Sequence, residues 1–412
     1  MFARLDTAEL EENYSHKGQN AYHPRLLTSI LIYAYSRGVF SSRQIEQRCK
    51  EDLSFMYIAQ LSCPNFRVLS DFRKDNSQFF HDCFKQTVKL AMELKLASLG
   101  HISLDGSKFK ASTSKHKAMS YGRLKENEKQ LAEEIELLTA KAERSDVEEA
   151  QDYKDATGYE LPDDLKFKEA RQAKIQEAKA AIEKRELELN PGKKIDDKKQ
   201  ISFADTDARI MGKKGHFEYS YNPQITVDED NQIIVGQHVS QKSNDKQELK
   251  PALEAVKEAT GTVPDKLSLD NGYMSGDNLE ATEGSGIDTY IATDKGEKSH
   301  KTPLDNSERK LVKSDFDYNE KEDCFSCPGG QLLPLLRETK GLKIYQGNSK
   351  VCNECPYQSR CCQSSAGEAR TIRTDDKEPL RQQMNAKMEK DESKAIYKER
   401  KVIVEPVFGQ IK

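Results

Sequence analysis

The chain has 412 residues, 36% apolar and 33% charged, with a net charge of −4. That length allows two or three domains with at least one sizeable core, and the charge shows no global basic excess of the kind that marks most nucleic-acid-binding domains. No stretch approaches the ~18 apolar residues of a membrane span. The start, MFARLDTAELEEN, lacks a basic-then-apolar signal pattern, so the expectation is a cytoplasmic protein with no membrane partner.

Residues 1–98 read as an all-helical N-terminal domain. HPRLLTSILIYAYSRG has a proline near a helix start and Gly38 at its stop, and SSRQIEQRCKEDLSFMYIAQL follows with serines at the cap position. Arg43, Arg48, Arg67 and Arg73 are spaced among these short helices. The pattern suits a helix-turn-helix DNA-binding domain and a plain helical bundle equally. Cys49, Cys63 and Cys83 lie in these helices and read as core residues.

At HISLDGSKFKA the period changes to two, giving a strand that ends at Asp105-Gly106. From Gly106 to Ala118 there are four lysines, Lys108, Lys110, Lys115 and Lys117, and no acid. With His116 they form a local patch suited to phosphate, whose affinity would be salt-sensitive. Residues 121–199 are highly charged. Leu124, Leu131, Ile135 and Leu138, then Ile175 and Ile182, fall at helical spacings on either side of the breakers in DYKDATGYELPDD, which predicts a helical hairpin, a coiled-coil insertion. Residues 200–300 rejoin the segment 99–120: a hairpin turning near Glu229–Asn231, an amphipathic helix ending at Gly261, a strand running into Asp270-Asn-Gly, a short helix, and the strand DTYIATD. This mixture predicts an α/β core broken by insertions.

Asp105 and Asp270 both stand where a strand ends, the place where reactive groups gather in open α/β sheets. Glu405 lies on a late helix in the segment 376–412. Three carboxylates brought together repel one another unless cations lie between them, and oxygen-only donors favour Mg²⁺ or Mn²⁺. Two such ions activate water or a 3′-hydroxyl at a phosphodiester. Lys412, seven residues past Glu405, falls on nearly the same helical face. Taken alone, each Asp-Gly or Asp-Asn-Gly is an ordinary turn. Asp205 and Asp207, in FADTDARIM, read as turn or capping residues rather than further ligands.

The segment 301–375 is a Cys-rich insertion. Cys324 and Cys327 form one Cys-x2-Cys pair, and Cys352 and Cys355 form another with 24 residues between the pairs, followed by Cys361 and Cys362. Such pairs suit a closed, structural Zn²⁺ site. Two ligand sets remain open, Cys324, Cys327, Cys352 and Cys355, or Cys327, Cys352, Cys355 and Cys361.

Four stretches together resemble bacterial insertion-sequence transposases of the DDE type: HPRLLTSILIYAYSRGVFSSRQIEQRCKEDLSFMYIA, LDGSKFKASTSKHKAMSYGRL, SLDNGYMSGDNL and YKERKVIVEPVFGQIK. The resemblance implies an RNase H-like core in which Asp105, Asp270 and Glu405 hold the catalytic metal, with Tyr397, a basic residue at Arg400 or Lys401, and Lys412 completing the last block. In related signatures the basic residue stands at the count that Lys401 fits, with Arg400 one residue out. The second cysteine set resembles the family's own pattern. The implied reaction is hydrolysis at the ends of the element and attack of the freed 3′-hydroxyl on double-stranded target DNA, by a nucleoid-associated bacterial protein that forms a homodimer on paired ends. Family members usually continue for some tens of residues past this lysine, so the chain reads as lacking the C-terminal tail. The alternatives are a truncated, catalytically inactive DNA-binding remnant and a metal-dependent nuclease that cuts without joining.

Overall fold

The computed structural model describes residues 4–12, 22–113, 118–152, 163–213, 215–293, 309–339, 341–362 and 367–411. Two compact units emerge: Met1–Asp105 with Ile225–His238 and Lys246–Lys412, and Gly106–Gln224 with Val239–Asp245.

The first unit opens with helices α1 (Ala8–Glu12), α2 (Pro24–Ser36), α3 (Ser42–Glu51), α4 (Leu53–Ile58), α5 (Phe66–Asp75) and α6 (Ser77–Glu93). Pro24 starts α2, where its fixed φ costs nothing and its missing N–H is not needed. Leu27, Ile30, Leu31 and Ala34 of α2 bury one helical face against Ile45, Cys49, Phe55, Leu69 and Phe72. The run after Ser41 breaks at Asp52, which is extended and whose carboxylate accepts the Ser54 and Phe55 N–H groups. An aspartate that caps a new helix ends the old one. Burial pushes the Cys49 and Cys83 thiols up to about 11, which leaves them inert packing residues.

Strand β1 (His101–Gly106) ends the first stretch of this unit. The second unit carries β2 (Phe109–Lys110), β3 (Ala118–Ser120), α7 (Tyr121–Asp152), α8 (Asp163–Leu189), β4 (Gln200–Ser202), β5 (Arg209–Lys213) and the first part of β6 (His216–Asp228). Both β2 and β5 pair antiparallel with β6, and β3 pairs with β4. Helices α7 and α8 pack through Leu124, Leu131, Ile175, Ala178 and Ile182. Asp205 accepts the Asp207 and Ala208 N–H groups and the Tyr221 hydroxyl, the work of a turn residue.

Back in the first unit come the end of β6, β7 (Ile234–Ser240), α9 (Leu249–Thr260), β8 (Lys266–Leu269), α10 (Gly276–Glu283) and β9 (Asp288–Ile291). Gly261 ends α9 at φ +82°, a left-handed cap that glycine takes without strain. The strands lie in the order β7-β6-β1-β8-β9, with β1, β8 and β9 parallel. Ile102 and Leu104 of β1, Leu267 and Leu269 of β8, and Val235 of β7 join Val256 of α9 and Tyr273 in the main core. The alternate residues of β1 and β8 are polar. Ser103 and Ser268 share a hydrogen bond of 2.6 Å, and His101 Nε2 lies 3.1 Å from the Ser268 hydroxyl.

From residue 309 the chain forms β10 (Asp317–Asn319), β11 (Cys324–Ser326), β12 (Leu332–Thr339), β13 (Leu342–Gln346), α11 (Ser349–Asn353), α12 (Gln358–Cys361) and β14 (Thr371–Thr374). The five strands make an antiparallel sheet in chain order around Phe316, Phe325, Leu333, Tyr345 and Ile372. The single C-terminal helix expected from the sequence is two, α13 (Glu378–Glu389) and α14 (Asp391–Ile411), because Lys390 is extended. Among the described residues no helix is long and apolar enough to cross a membrane.

Candidate active site

The parallel register sets Ser103 beside Ser268 and Leu104 beside Leu269. One step further along the same two strands stand Asp105 and Asp270. Both fall on the face of Ser103 and Ser268, because side chains alternate along a strand. Neighbouring strands lie ~4.8 Å apart, so this register brings Asp105 and Asp270 to adjacent strand ends. Asp270 turns the chain directly after β8: its Oδ1 accepts the Gly272 N–H at 2.6 Å, and Asn271 Nδ2 donates to the Ala292 carbonyl at 2.7 Å.

Helix α14 packs against β8 and β9. Ile403, Val404, Val407 and Phe408 bury its inner face, and Arg400 lies on that face one turn earlier. Arg400 is 9% exposed; its Nη1 donates to Asp105 Oδ2 at 3.2 Å and its Nη2 lies 3.6 Å from Glu405 Oε1. Burial opposes the charge on Arg400, but Asp105, Tyr397 and Asp270 outweigh it and its pKa is raised. Burial also pushes the Tyr397 phenol up; Arg400 opposes this, and Asp270 and Asp105 add to it. The three carboxylates and Tyr397 therefore surround one guanidinium. Lys401, which the signature count favours, is exposed. The inward phase of the apolar residues at 403, 404 and 407 is the sequence signal that points to Arg400.

Pro406 sits inside α14, directly after Glu405. A proline has no N–H to give the carbonyl four residues back, and that carbonyl, of Val402, accepts instead from Gln232 Nε2 at 2.7 Å. Gln232 itself stands in the turn between β6 and β7, at φ +57°. No motif or spacing singles out this glutamine.

The other candidates are dispersed. Lys412, Lys115, His116 and Lys117 lie outside the described residues. Lys108 is half-buried, and Lys110 is exposed and pairs with Glu218 at 2.9 Å. Arg43 and Arg67 are exposed and flank the Phe66 ring, 4.5 and 5.8 Å from its centre. Arg73 is engaged within the helical bundle, donating to the Tyr35 hydroxyl at 3.0 Å.

In the Cys-rich sheet, Cys327, Cys352, Cys355, Cys361 and Cys362 line one small cavity with Gly329 and Gly347. Cys327 Sγ accepts the Gln331 N–H at 3.3 Å. The Cys324 thiol does not line that cavity and lies 3.8 Å from Glu322 Oε2. Cys361 is buried, and that burial pushes its thiol up to about 12.

Among the described residues no group of three or more His, Cys, Asp or Glu side chains is placed so that it could hold a metal ion. The carboxylates nevertheless have the donor chemistry of a hard cation site: three anionic oxygen groups facing the buried Arg400 guanidinium. Residues 2–75 match a family described as a transposase domain (DUF772), and residues 326–412 match one described as a transposase DDE domain. No curated protein matches the chain. A DDE domain implies an RNase H-like core and a divalent metal, and the second match ends on the helix that carries Glu405. The two matches, one at each end of the chain and in this order, support a DDE transposase of insertion sequences.

Proposed function

We propose that the protein cuts DNA at the ends of its element and joins the freed 3′-hydroxyl to target DNA, with Asp105, Asp270 and Glu405 holding Mg²⁺ or Mn²⁺. The observation that carries this reading is the β1–β8 register, which makes Asp105 and Asp270 neighbours, together with the Arg400 bridge to Asp105 and Glu405. Bound divalent ions would supply a deprotonated attacking oxygen and would stabilise the leaving oxygen. The chain's own part is to hold the carboxylates in place. Arg400 does this by donating to Asp105 and by facing Glu405. Glu405, with a 54% exposed side chain, is the donor with room to turn inward. Arg400, rather than Lys401, is the basic residue of the site.

Lys108 and Lys110 follow the strand that ends at Asp105 and offer charge to a DNA phosphate, as Arg43 and Arg67 do on the helical domain. Two copies would act on a pair of ends. Asp270→Asn keeps the side chain's size and removes its charge. It is expected to lower Mg²⁺-dependent cleavage of end-containing DNA by more than ~100-fold while DNA binding in a gel-shift assay is unchanged. Cleavage at the wild-type rate by this variant would rule out the assignment. DNA binding by the wild type with no cleavage in Mg²⁺ or Mn²⁺ would favour a DNA-binding remnant, and cleavage without joining would favour a simple nuclease.

We also propose a structural Zn²⁺ held by Cys327, Cys352, Cys355 and Cys361. The shared cavity and the N–H···S bond to Cys327 support it. Purified protein is expected to hold about one zinc per chain, lost in Cys352→Ser/Cys355→Ser. Metal analysis that finds no zinc in freshly purified wild type would exclude the site.

A further inference from the structure

Gly106 follows Asp105 directly, and its backbone is closely covered. A Cβ built there would stand 2.1 Å from Gln224 Nε2 and 2.8 Å from its Cδ. Such a clash is mild when the obstructing group is the free end of a flexible side chain, but Gln224 has no such freedom. Its side chain is fully buried, and Nε2 donates to Asp245 Oδ1 at 2.9 Å. The same Asp245 oxygen accepts from Asn222 Nδ2 at 2.8 Å, and Asn222 also donates to the Lys242 carbonyl at 3.2 Å. Asn222 and Gln224 are two apart on β6 and so face the same way. Two buried amides and one carboxylate thus form a fixed brace, and Ser107 N–H donates to the Pro223 carbonyl at 3.1 Å beside it.

We infer that Gln224 is a positioning residue: braced by Asp245, it packs against the Gly106 backbone and fixes the peptide from which the Asp105 carboxylate projects. The inference rests on the proposal that Asp105 holds the metal. It assigns Gly106 a second task beyond turning the chain, namely leaving room for the Gln224 amide at van der Waals distance. A side chain at 106 must displace either the amide, with the loss of its bond to Asp245, or the peptide after Asp105.

The test is a double-mutant cycle on the full chain, read by Mn²⁺ binding in calorimetry and by thermal unfolding. Gly106→Ala is expected to weaken Mn²⁺ binding by about 10-fold, the scale of a lost supporting contact at a metal site. Gln224→Ala opens the space, so Gly106→Ala/Gln224→Ala should bind Mn²⁺ no more weakly than Gln224→Ala alone. A purely structural role would shift the unfolding midpoint and leave Mn²⁺ affinity unmoved. The inference is overturned if Gly106→Ala binds Mn²⁺ as the wild type does, or if its loss persists undiminished with alanine at 224. Should Gly106→Ala fail to fold, Gln224→Ala carries the test, and wild-type Mn²⁺ affinity in that variant overturns the inference. Asp105→Asn separates the two readings: unchanged Mn²⁺ binding there would remove the metal assignment itself, whatever the cycle shows.

Discussion

The carboxylate cluster and the cysteine cavity both gather metal-binding groups, and they do so in opposite ways. Asp105, Asp270 and Glu405 are separated by 165 and 135 residues, and only a sheet register and a helix face bring them together. The five cysteines of the cavity lie within 36 residues, and short turns between β11, β12 and the helices α11 and α12 bring them together. Both places hold a guanidinium: Arg400 faces Asp105 and Glu405, and Arg370 lines the cysteine cavity. A site assembled from distant elements depends on the whole core, and one built on local turns depends on the segment that carries them.

This contrast can be broken most sharply at Arg400. Arg400→Ala removes the guanidinium that faces Asp105 and Glu405. It is expected to cost about 2 kcal/mol of stability in metal-free buffer, less than a fully buried pair would because both carboxylates keep some water. Added Mg²⁺ should recover more stability in this variant than in the wild type, read by urea unfolding with and without the ion. Equal Mg²⁺ effects in the two proteins would show that the guanidinium does not offset the cluster.

A smaller effect is expected at the Pro406 break. Gln232→Ala should cost about 1 kcal/mol, the worth of one hydrogen bond to a carbonyl that has no helical donor. With Pro406→Ala the restored N–H takes over that carbonyl, so Gln232→Ala should then cost nothing. A Gln232→Ala penalty that survives Pro406→Ala would sink this account.

The smallest effect concerns His101, a polar residue of β1 on the same face as Asp105. Burial lowers its pKa, opposed by Glu229, whose Oε2 lies 3.3 Å from Nδ1. The folded chain therefore binds this proton less readily than the unfolded chain. The stability tied to neutral His101 is complete above about pH 6.5 and is lost as the pH falls below it. Denaturant midpoints between about pH 7 and pH 5 should fall more steeply in the wild type than in His101→Gln. Parallel slopes would place the acid sensitivity elsewhere.

Much of the site is legible in local sequence. Asp105-Gly106 and Asp270-Asn-Gly announce strand ends, and the spacing of Leu124, Leu131, Ile175 and Ile182 gives two packed helices. Local sequence says less where a residue's phase on its element decides. Arg400 and Lys401 differ by one position, yet ~100° of helix rotation puts the first in the core face and the second in water. Cys324 and Cys327 look equivalent as a pair until the strand turns one of them away. The longest strand of the Cys-rich sheet leaves little trace in the sequence. Along the eight residues of β12 only Leu333 is buried, so no alternation shows.

Residue order alone settles which side-chain types are present and where strands end and helices are capped, because these signals depend on neighbours a few residues away. Folding in three dimensions settles that Asp105 stands beside Asp270, that Arg400 faces both Asp105 and Glu405, and that Gln224 and Gln232 brace the backbone near them. Strand register and helix docking are set by the summed packing of distant surfaces, and no local stretch of sequence contains that sum.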